Sequence, residues 1–409
     1  MRLFIDSYLR LFRVVFKTFT STGSTVAPLT RRRLVFLAWF IPFLFFGQLL
    51  HWIGLMLDHV FFPGFRKIKV RDPLFVVGIP RSGTTFLQRL LTADTSRFTT
   101  MTLGEITVAP SITERVVWRA LGRIDAAIGG FGRRVANRFD KRLFQEVSKI
   151  HPLSLFEPDE DELVMLPTFT SPNLAWIFPV EEELWKYTNF DEDTPPAEQR
   201  QLIEFYKGCV QRHLYFHGPE KHYFAKNPSF SVKLEALRAV FPDMKVICTS
   251  RTPYEAVPST ISLGAFYWKS FGNDDEGRTM IDPMTRLAGS YYRHPIKVLP
   301  QWPENSHAFM RYTELVERPM ESVLQVMDRL GIELSDVHRA HLSKRQEKAR
   351  GWKSTHHYSM GSLGIDENFI RDNFRDVLEY FDYPIHEEET GAKLHPSPKS
   401  GNAKEPTVA

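Results

Sequence analysis

Within eight consecutive residues, Gly78-Ile79-Pro80-Arg81-Ser82-Gly83-Thr84-Thr85, the chain sets two glycines, one arginine and three hydroxyls. Glycines at this spacing let a backbone curl until successive N–H groups converge on an anion, and a helix opening behind them adds the positive end of its dipole. Arg81 brings a fixed cation into the loop. Such a run is suited to binding a phosphate-like group. A nucleotide-hydrolysing loop of this frame carries Lys after its second glycine, where this chain has Thr84, and no acidic strand end stands ready to hold magnesium. A nucleotide kinase or other NTPase is therefore the alternative rather than the leading reading.

Two further residues fit the same chemistry. Lys226 closes the run His-Tyr-Phe-Ala-Lys, and Arg251 follows Met-Lys-Val-Ile-Cys-Thr-Ser. Both runs read as buried strands, so Lys226 and Arg251 stand at strand ends, where an open parallel sheet binds ligands. Arg81 and Arg251 follow different strands, which suits a ligand with phosphates at both ends.

The elements that must hold these residues follow from the pattern. Residues 74–77 read as a short buried strand before the loop and 86–91 as the start of a helix behind it, the opening of an α/β domain. Residues 222–225 and 245–249 read as two more strands joined by helical periodicity over 231–241, which Pro242-Asp243 ends. That unit implies a right-handed parallel crossover beside the first strand. Further helices are expected over 111–150, with a break at Gly129-Gly130, over 195–215 and over 321–330. The expected fold class is α/β, a P-loop-like three-layer domain with a central parallel sheet over residues 71–385. Residues 386–409, rich in Gly, Pro, Lys and Glu, are expected to be a disordered tail.

The segment FVVGIPRSGTTFLQRLL resembles the 5'-phosphosulfate loop of sulfotransferases that use 3'-phosphoadenosine 5'-phosphosulfate. The segment FAKNPSFSVKLEALRAVFPDMKVICTSRTPYEAVPSTIS resembles the next conserved stretch of that family, and Arg311-Tyr-Thr-Glu-Leu-Val-Glu-Arg-Pro319 its tyrosine-containing turn. Residues 352–365 with Ile370-Arg-Asp-Asn-Phe374 look like the carboxy-terminal element of a bacterial-type subgroup. The resemblance implies that Arg81, Ser82, Gly83, Thr84 and Thr85 hold the phosphosulfate end of the donor, that Arg251 and Ser259 hold its 3'-phosphate, and that Tyr312 lies near the adenine. It implies that Lys226 stabilises the transferring sulfuryl group, with Arg81 assisting. Many relatives have Lys at Arg81 and Asp at Thr252; Arg keeps the charge and adds a fork.

Sulfuryl transfer to a hydroxyl requires in-line approach, charge neutralisation and a base within hydrogen-bond reach. Resemblance to tyrosylprotein sulfotransferases points to Glu105 as the base, with helix capping as its structural alternative. His151 is the second candidate, against a role as a packed histidine. His356-His357-Tyr358 lacks other ligands at suitable spacing, so no metal is expected. The acidic run Glu157-Pro-Asp-Glu-Asp-Glu162 reads as a solvated helix start, with lining of the acceptor pocket as the other reading.

Residues 1–70 are expected to be a membrane-associated segment. Residues 34–57 carry no Lys, Arg, Asp or Glu, and roughly 24 helical residues extend about 36 Å, enough for a hydrocarbon layer about 30 Å thick. Pro42, Gly47, Gln48 and His51 interrupt the run, so insertion from one face competes with a true span. Upstream, Tyr8, Leu9, Leu11, Phe12, Val15, Phe16 and Phe19 alternate with Arg10, Arg13 and Lys17 as in a basic amphipathic helix on a membrane surface. A net charge of +4 is too weak to argue for nucleic acid. Two cysteines, Cys209 and Cys248, make no disulfide framework, and no glycosylation sequon is present. A catalytic domain facing the cytoplasm is the preferred topology, and a type II protein with a lumenal domain the alternative. The acceptor class consistent with membrane contact is a lipid or other amphiphilic alcohol. A non-catalytic membrane-bound relative is the third functional reading.

Overall fold

The computed structural model describes residues 2–20, 27–145, 153–179, 181–273, 278–349 and 364–386. His151, His356 and His357, most of the 352–365 element and the expected tail beyond His386 lie outside the described residues.

Five parallel strands form the centre: β1 (Leu74–Gly78), β2 (Phe98–Thr99), β3 (His222–Lys226), β4 (Lys245–Ser250) and β5 (His307–Arg311), in the order β2-β3-β1-β4-β5. All three expected strands are present, each extended by one residue. The crossover from β3 to β4 is wider than expected, because β1 lies between them: Val76 pairs with Lys226 on one side and with Ile247 on the other. Reversal of chain order on either side of a central strand opens a crevice at the carboxyl ends, and the phosphate loop leaves β1 at that point.

Side chains alternate across the sheet as the pleat requires. Leu74, Val76, Phe224, Ile247, Ala308 and Met310 pack on helix Thr84–Leu91 and helix Pro319–Arg329. Phe75, Val77, Tyr223, Ala225, Val246 and Cys248 face the larger core, built from helices Pro196–His217, Leu234–Val240, Pro253–Ser270 and Ile281–Val298. Cys209 and Cys248 are buried free thiols.

Two N-terminal helices, α1 (Arg2–Thr20) and α2 (Arg31–Phe61), belong to the same core through Tyr8, Leu11, Val14, Leu37, Leu44, Trp52 and Leu55. One helix, α2, is long and apolar enough to cross a membrane by length and composition. It is continuous through Pro42 and is tied to the domain at both ends. Buried Arg33 bonds Asn273 and the carbonyl of Ile177, while Asp58, fully buried, accepts from Ile112 N, Thr113 N and Arg212 Nε. Three cations of α1 pair with the domain: Arg10, buried, with Glu198, and Arg13 and Lys17 with Glu183.

Candidate active site

The loop after β1 is shaped by backbone that only a glycine allows. Gly78 has φ +120°, and a Cβ there would lie 2.0 Å from the carbonyl oxygen of Thr249. Its N–H donates to Ser231 Oγ at 2.8 Å. Gly83, φ +85°, precedes the first residue of helix Thr84–Leu91 and would drive a Cβ to 2.9 Å from the Tyr312 ring. Arg81 adopts φ +70° without being glycine, a conformation that costs about 1–2 kcal/mol and is held by its surroundings. Ser82 turns its hydroxyl inward, donating to Ile79 O at 2.6 Å and lying 2.6 Å from Thr249 Oγ1. Its side chain fastens the loop at the start of helix Thr84–Leu91, where the first N–H groups of a helix have no intrahelical partner.

Four residues singled out in the sequence are brought together beside the loop. Arg81 Nε donates to Ser259 Oγ at 3.2 Å, and Arg251 Nη1 donates to Arg81 O at 3.1 Å. The Arg251 guanidinium lies over the Tyr312 ring, 4.5 Å from its centroid. Arg251 follows β4, and Tyr312 follows β5. Tyr292 fixes the Arg251 backbone through a 2.5 Å hydrogen bond to its carbonyl, and Glu255 pairs with Arg251 Nε at 2.5 Å. Ser259 is buried on helix Pro253–Ser270.

Lys226 stands at the end of β3, and two strand spacings, about 10 Å, separate that strand from β4. Its side chain is 1% exposed, with Nζ 3.2 Å from Glu160 Oε1 and 3.5 Å from Asp159 Oδ1. Burial lowers its affinity for a proton, but Glu160 and Asp159 outweigh that effect and raise its pKa, so Lys226 is held cationic.

The acidic run is not a solvated helix start. It enters a 3-10 helix, Asp161–Thr168, and successive carboxylates fan out onto buried donors. Asp159 and Glu160 take Lys226; Asp161 accepts from Tyr206 at 2.5 Å and Tyr223 at 2.6 Å; Glu162 takes Lys233 at 3.0 Å and Ser171 at 2.7 Å. Burial pushes the Asp161 carboxyl up to about 6 against the hydrogen bonds it accepts. Sequence reasoning missed this rail. The acidic run leads directly into the apolar run Leu163-Val-Met-Leu166, as helix starts also do, so no local signal marks its carboxylates as buried.

Glu105 makes the helix-capping contact that is the alternative to its role as base. It is the third helical residue of Leu103–Thr107 and closes a capping box with Thr102, whose N–H donates to Glu105 Oε2 at 3.0 Å. The other oxygen accepts from His217, with Arg115 Nη1 3.7 Å away. Burial favours protonation, but His217, Arg115 and His213 outweigh it and hold the carboxyl far below the usual range. Among the described contacts none joins Glu105 to Arg81 or Lys226. Glu105, His213 and His217 lie close enough to share a cation, yet Arg115 Nη1, 3.2 Å from His213 Nδ1, already supplies one.

The sequence profile of the sulfotransferase family matches residues 73–336, a span that contains the loop, Glu105, the acidic rail, Lys226, Arg251, Ser259 and Tyr312. The chain belongs to the sulfotransferase family. As such it is a transferase, and the kinase reading falls. It is 25% identical over 352 residues to omega-hydroxy-beta-dihydromenaquinone-9 sulfotransferase Stf3 of Mycobacterium bovis, covering 80% of this chain and 78% of that one, and equally to the Mycobacterium tuberculosis protein of the same name. Among solved structures, sulfotransferase STF9 from Mycobacterium avium superposes with a TM-score of 0.70 at 19% identity, covering 94% of this chain and 97% of its own. Sulfotransferase STF1 from Mycobacterium tuberculosis follows at 0.61 and 17%, covering 91% and 92%. These two likenesses support the sulfotransferase fold across nearly the whole chain.

Proposed function

We propose that this sulfotransferase moves a sulfuryl group from 3'-phosphoadenosine 5'-phosphosulfate to the hydroxyl of a lipid alcohol reached from a membrane surface. One observation carries the donor half: Arg81, Ser259, Arg251 and Tyr312 form a single contact chain beside the glycine loop, with buried Lys226 across the sheet edge. In this reading the loop N–H groups and Arg81 hold the 5'-phosphosulfate, Arg251 and Ser259 hold the 3'-phosphate, and Tyr312 borders the adenine. Arg251 exchanges Glu255, which is half exposed, for the phosphate.

Lys226 neutralises charge on the sulfuryl oxygens and the bridging oxygen as the bond to the 5'-phosphate breaks. Glu160, about one-third exposed and beside Lys226, is the carboxylate we assign to take the acceptor's proton as its oxygen bonds to sulfur. The electron pair of the broken bond leaves with 3'-phosphoadenosine 5'-phosphate. Glu105, bound into its capping box and to His217, organises the wall of the site instead.

The lipid half rests on two supports. The relatives named above act, by name, on omega-hydroxy-beta-dihydromenaquinone-9. The exposed side of α2 carries Val35, Trp39, Phe43, Phe46, Leu50, Ile53, Val60 and Phe61, an apolar stripe about 39 Å long at 1.5 Å per residue. Anchored at Arg33 and Asp58, α2 lies along the domain, so the reading is a monotopic contact with the cytoplasmic leaflet rather than a span. Calorimetric titration with 3'-phosphoadenosine 5'-phosphate tests the donor, and absence of binding by intact protein overturns it. Labelled donor incubated with membrane extract tests the acceptor, and label confined to water-soluble products overturns the lipid half.

A further inference from the structure

A helical hairpin stands out from the body of the protein, meeting it among the described residues at its root, through Arg119 over the Phe216 ring and through Asp140 on Ser154 and Leu155. Its helices, α3 (Ile112–Ala127) and α4 (Phe131–Leu143), meet at Gly129 and Gly130, φ +96° and +69°, and Asp125 closes the turn by accepting from Gly132 N at 2.6 Å and Arg133 N at 2.9 Å. The root is fixed: Ser111 and Glu114 form a capping box, His51 reaches Glu114 at 2.6 Å, and Asp58 takes the N–H groups of Ile112 and Thr113. Beyond Arg115, every residue from Val116 to Phe139 is exposed or half-exposed.

An arm this open is expected to be polar, yet it carries apolar stripes. Val117, Leu121, Ile124 and Ile128 follow one another at helical spacing on α3, as do Phe131, Val135, Phe139 and Leu143 on α4. At the tip Ile128 is 74% exposed and Phe131 66%. Residues 116–143 also hold seven Lys and Arg against two Asp, a net +5 where the whole chain has +4, so the remaining residues sum to −1. Both aspartates are used internally, Asp125 in the turn and Asp140 on Ser154 Oγ and Leu155 N.

We infer that this hairpin is a second membrane-docking element, inserting its apolar tip among the acyl chains of a bilayer while its arginines bind anionic headgroups. Apolar stripes with an unbalanced cationic flank are what an anionic interface selects. A second copy of this chain fits less well, because a two-fold interface places the same seven cations against each other. The root packs directly on the buried side of α2, where a Cβ at Gly54 would meet Ser111 Oγ at 2.5 Å, so the arm is fixed to that helix. The inference rests on the membrane-surface reading, not on the identity of the acceptor.

Vesicle flotation of the full chain decides it, using phosphatidylcholine vesicles with and without phosphatidylglycerol, with wild type, the tip variant Ile128→Glu/Phe131→Glu and the α2 variant Phe43→Glu/Leu50→Glu. Expected are wild-type binding that needs phosphatidylglycerol and about a tenfold or greater loss in the tip variant, with binding of 3'-phosphoadenosine 5'-phosphate unchanged. Wild-type binding by the tip variant, with binding lost in the α2 variant, overturns the arm and leaves the membrane reading intact. No vesicle binding by any form overturns both. A dimer in sedimentation that the tip substitutions abolish, without vesicle binding, assigns the arm to self-association and overturns the proposal.

Discussion

The guanidinium of Arg251 donates to the carbonyl oxygen of Arg81, 3.1 Å away and 170 residues earlier in the chain. Two permanent cations are thereby held at one sheet edge, Arg81 kept in a left-handed conformation and Arg251 laid over Tyr312. Charge-assisted hydrogen bonds contribute about 1.5–3 kcal/mol each. Arg251→Ala is therefore expected to weaken 3'-phosphoadenosine 5'-phosphate binding by about 10- to 100-fold, and Arg251→Lys to recover only part of it because the fork is lost. Titration calorimetry on both variants checks this; unchanged affinity in Arg251→Ala removes Arg251 from the donor site.

Lys226 is expected to govern turnover more than donor binding. In the proposed reading Lys226→Met removes the cation assigned to the sulfuryl group, and losses on the order of 100- to 1,000-fold in kcat are expected from removing one such electrostatic contact. It also leaves Asp159 and Glu160 without their buried partner, which costs about 3–5 kcal/mol of stability when a buried pair is broken. A lowered Tm in Lys226→Met, restored by adding Asp159→Asn without restoring kcat, separates the two roles.

The strand-end placement of the candidate residues was legible because they sit at fixed offsets from strands of apolar residues: Gly78 ends β1, Lys226 ends β3, and Arg251 follows β4. Strand β2 was not legible, since two residues carry no periodicity, and β5 was missed because its run His-Ala-Phe-Met-Arg has no clean alternation. Wrapping of α1 and α2 onto the domain was hidden for another reason. Composition shows that a helix is apolar, but not which of its faces meets protein; only the partners of Arg33, His51 and Asp58, between 54 and 240 residues away in sequence, decide that. The acidic rail was misread likewise, because its bases and hydroxyls arrive from distant elements.

Asp161 supplies a pH signature. Its carboxyl titrates at about 6 in the folded protein against about 3.9 in an unfolded chain, so between these values the native state binds the extra proton. Stability from this group is fully present below about pH 3.9 and is lost as pH rises through about 6. Asp161→Asn removes the titration. Wild type is therefore expected to gain on the variant as pH falls from 7 to 4, by on the order of 2–3 kcal/mol in all; a Tm difference that is flat with pH denies the shift.

Glu160 and Glu105 are separated by paired substitutions. Glu160→Gln keeps shape and removes basicity, and loss of a general base lowers kcat by about 100- to 10,000-fold, with binding of 3'-phosphoadenosine 5'-phosphate unchanged. Glu105→Gln weakens the contacts to His217 and Arg115 while keeping a side chain able to cap. Its expected effect is a loss of stability of about 1 kcal/mol. Because the folded carboxyl of Glu105 lies below its unfolded value, that contribution is present above about pH 4.3 and is lost as pH falls through the folded value. The Tm gap between wild type and Glu105→Gln should accordingly narrow in acid, while kcat at neutral pH changes little. Full activity in Glu160→Gln with a collapse in Glu105→Gln, at retained Tm, returns the proton to Glu105 and requires the segment at Leu103–Thr107 to turn toward Lys226 when the donor binds.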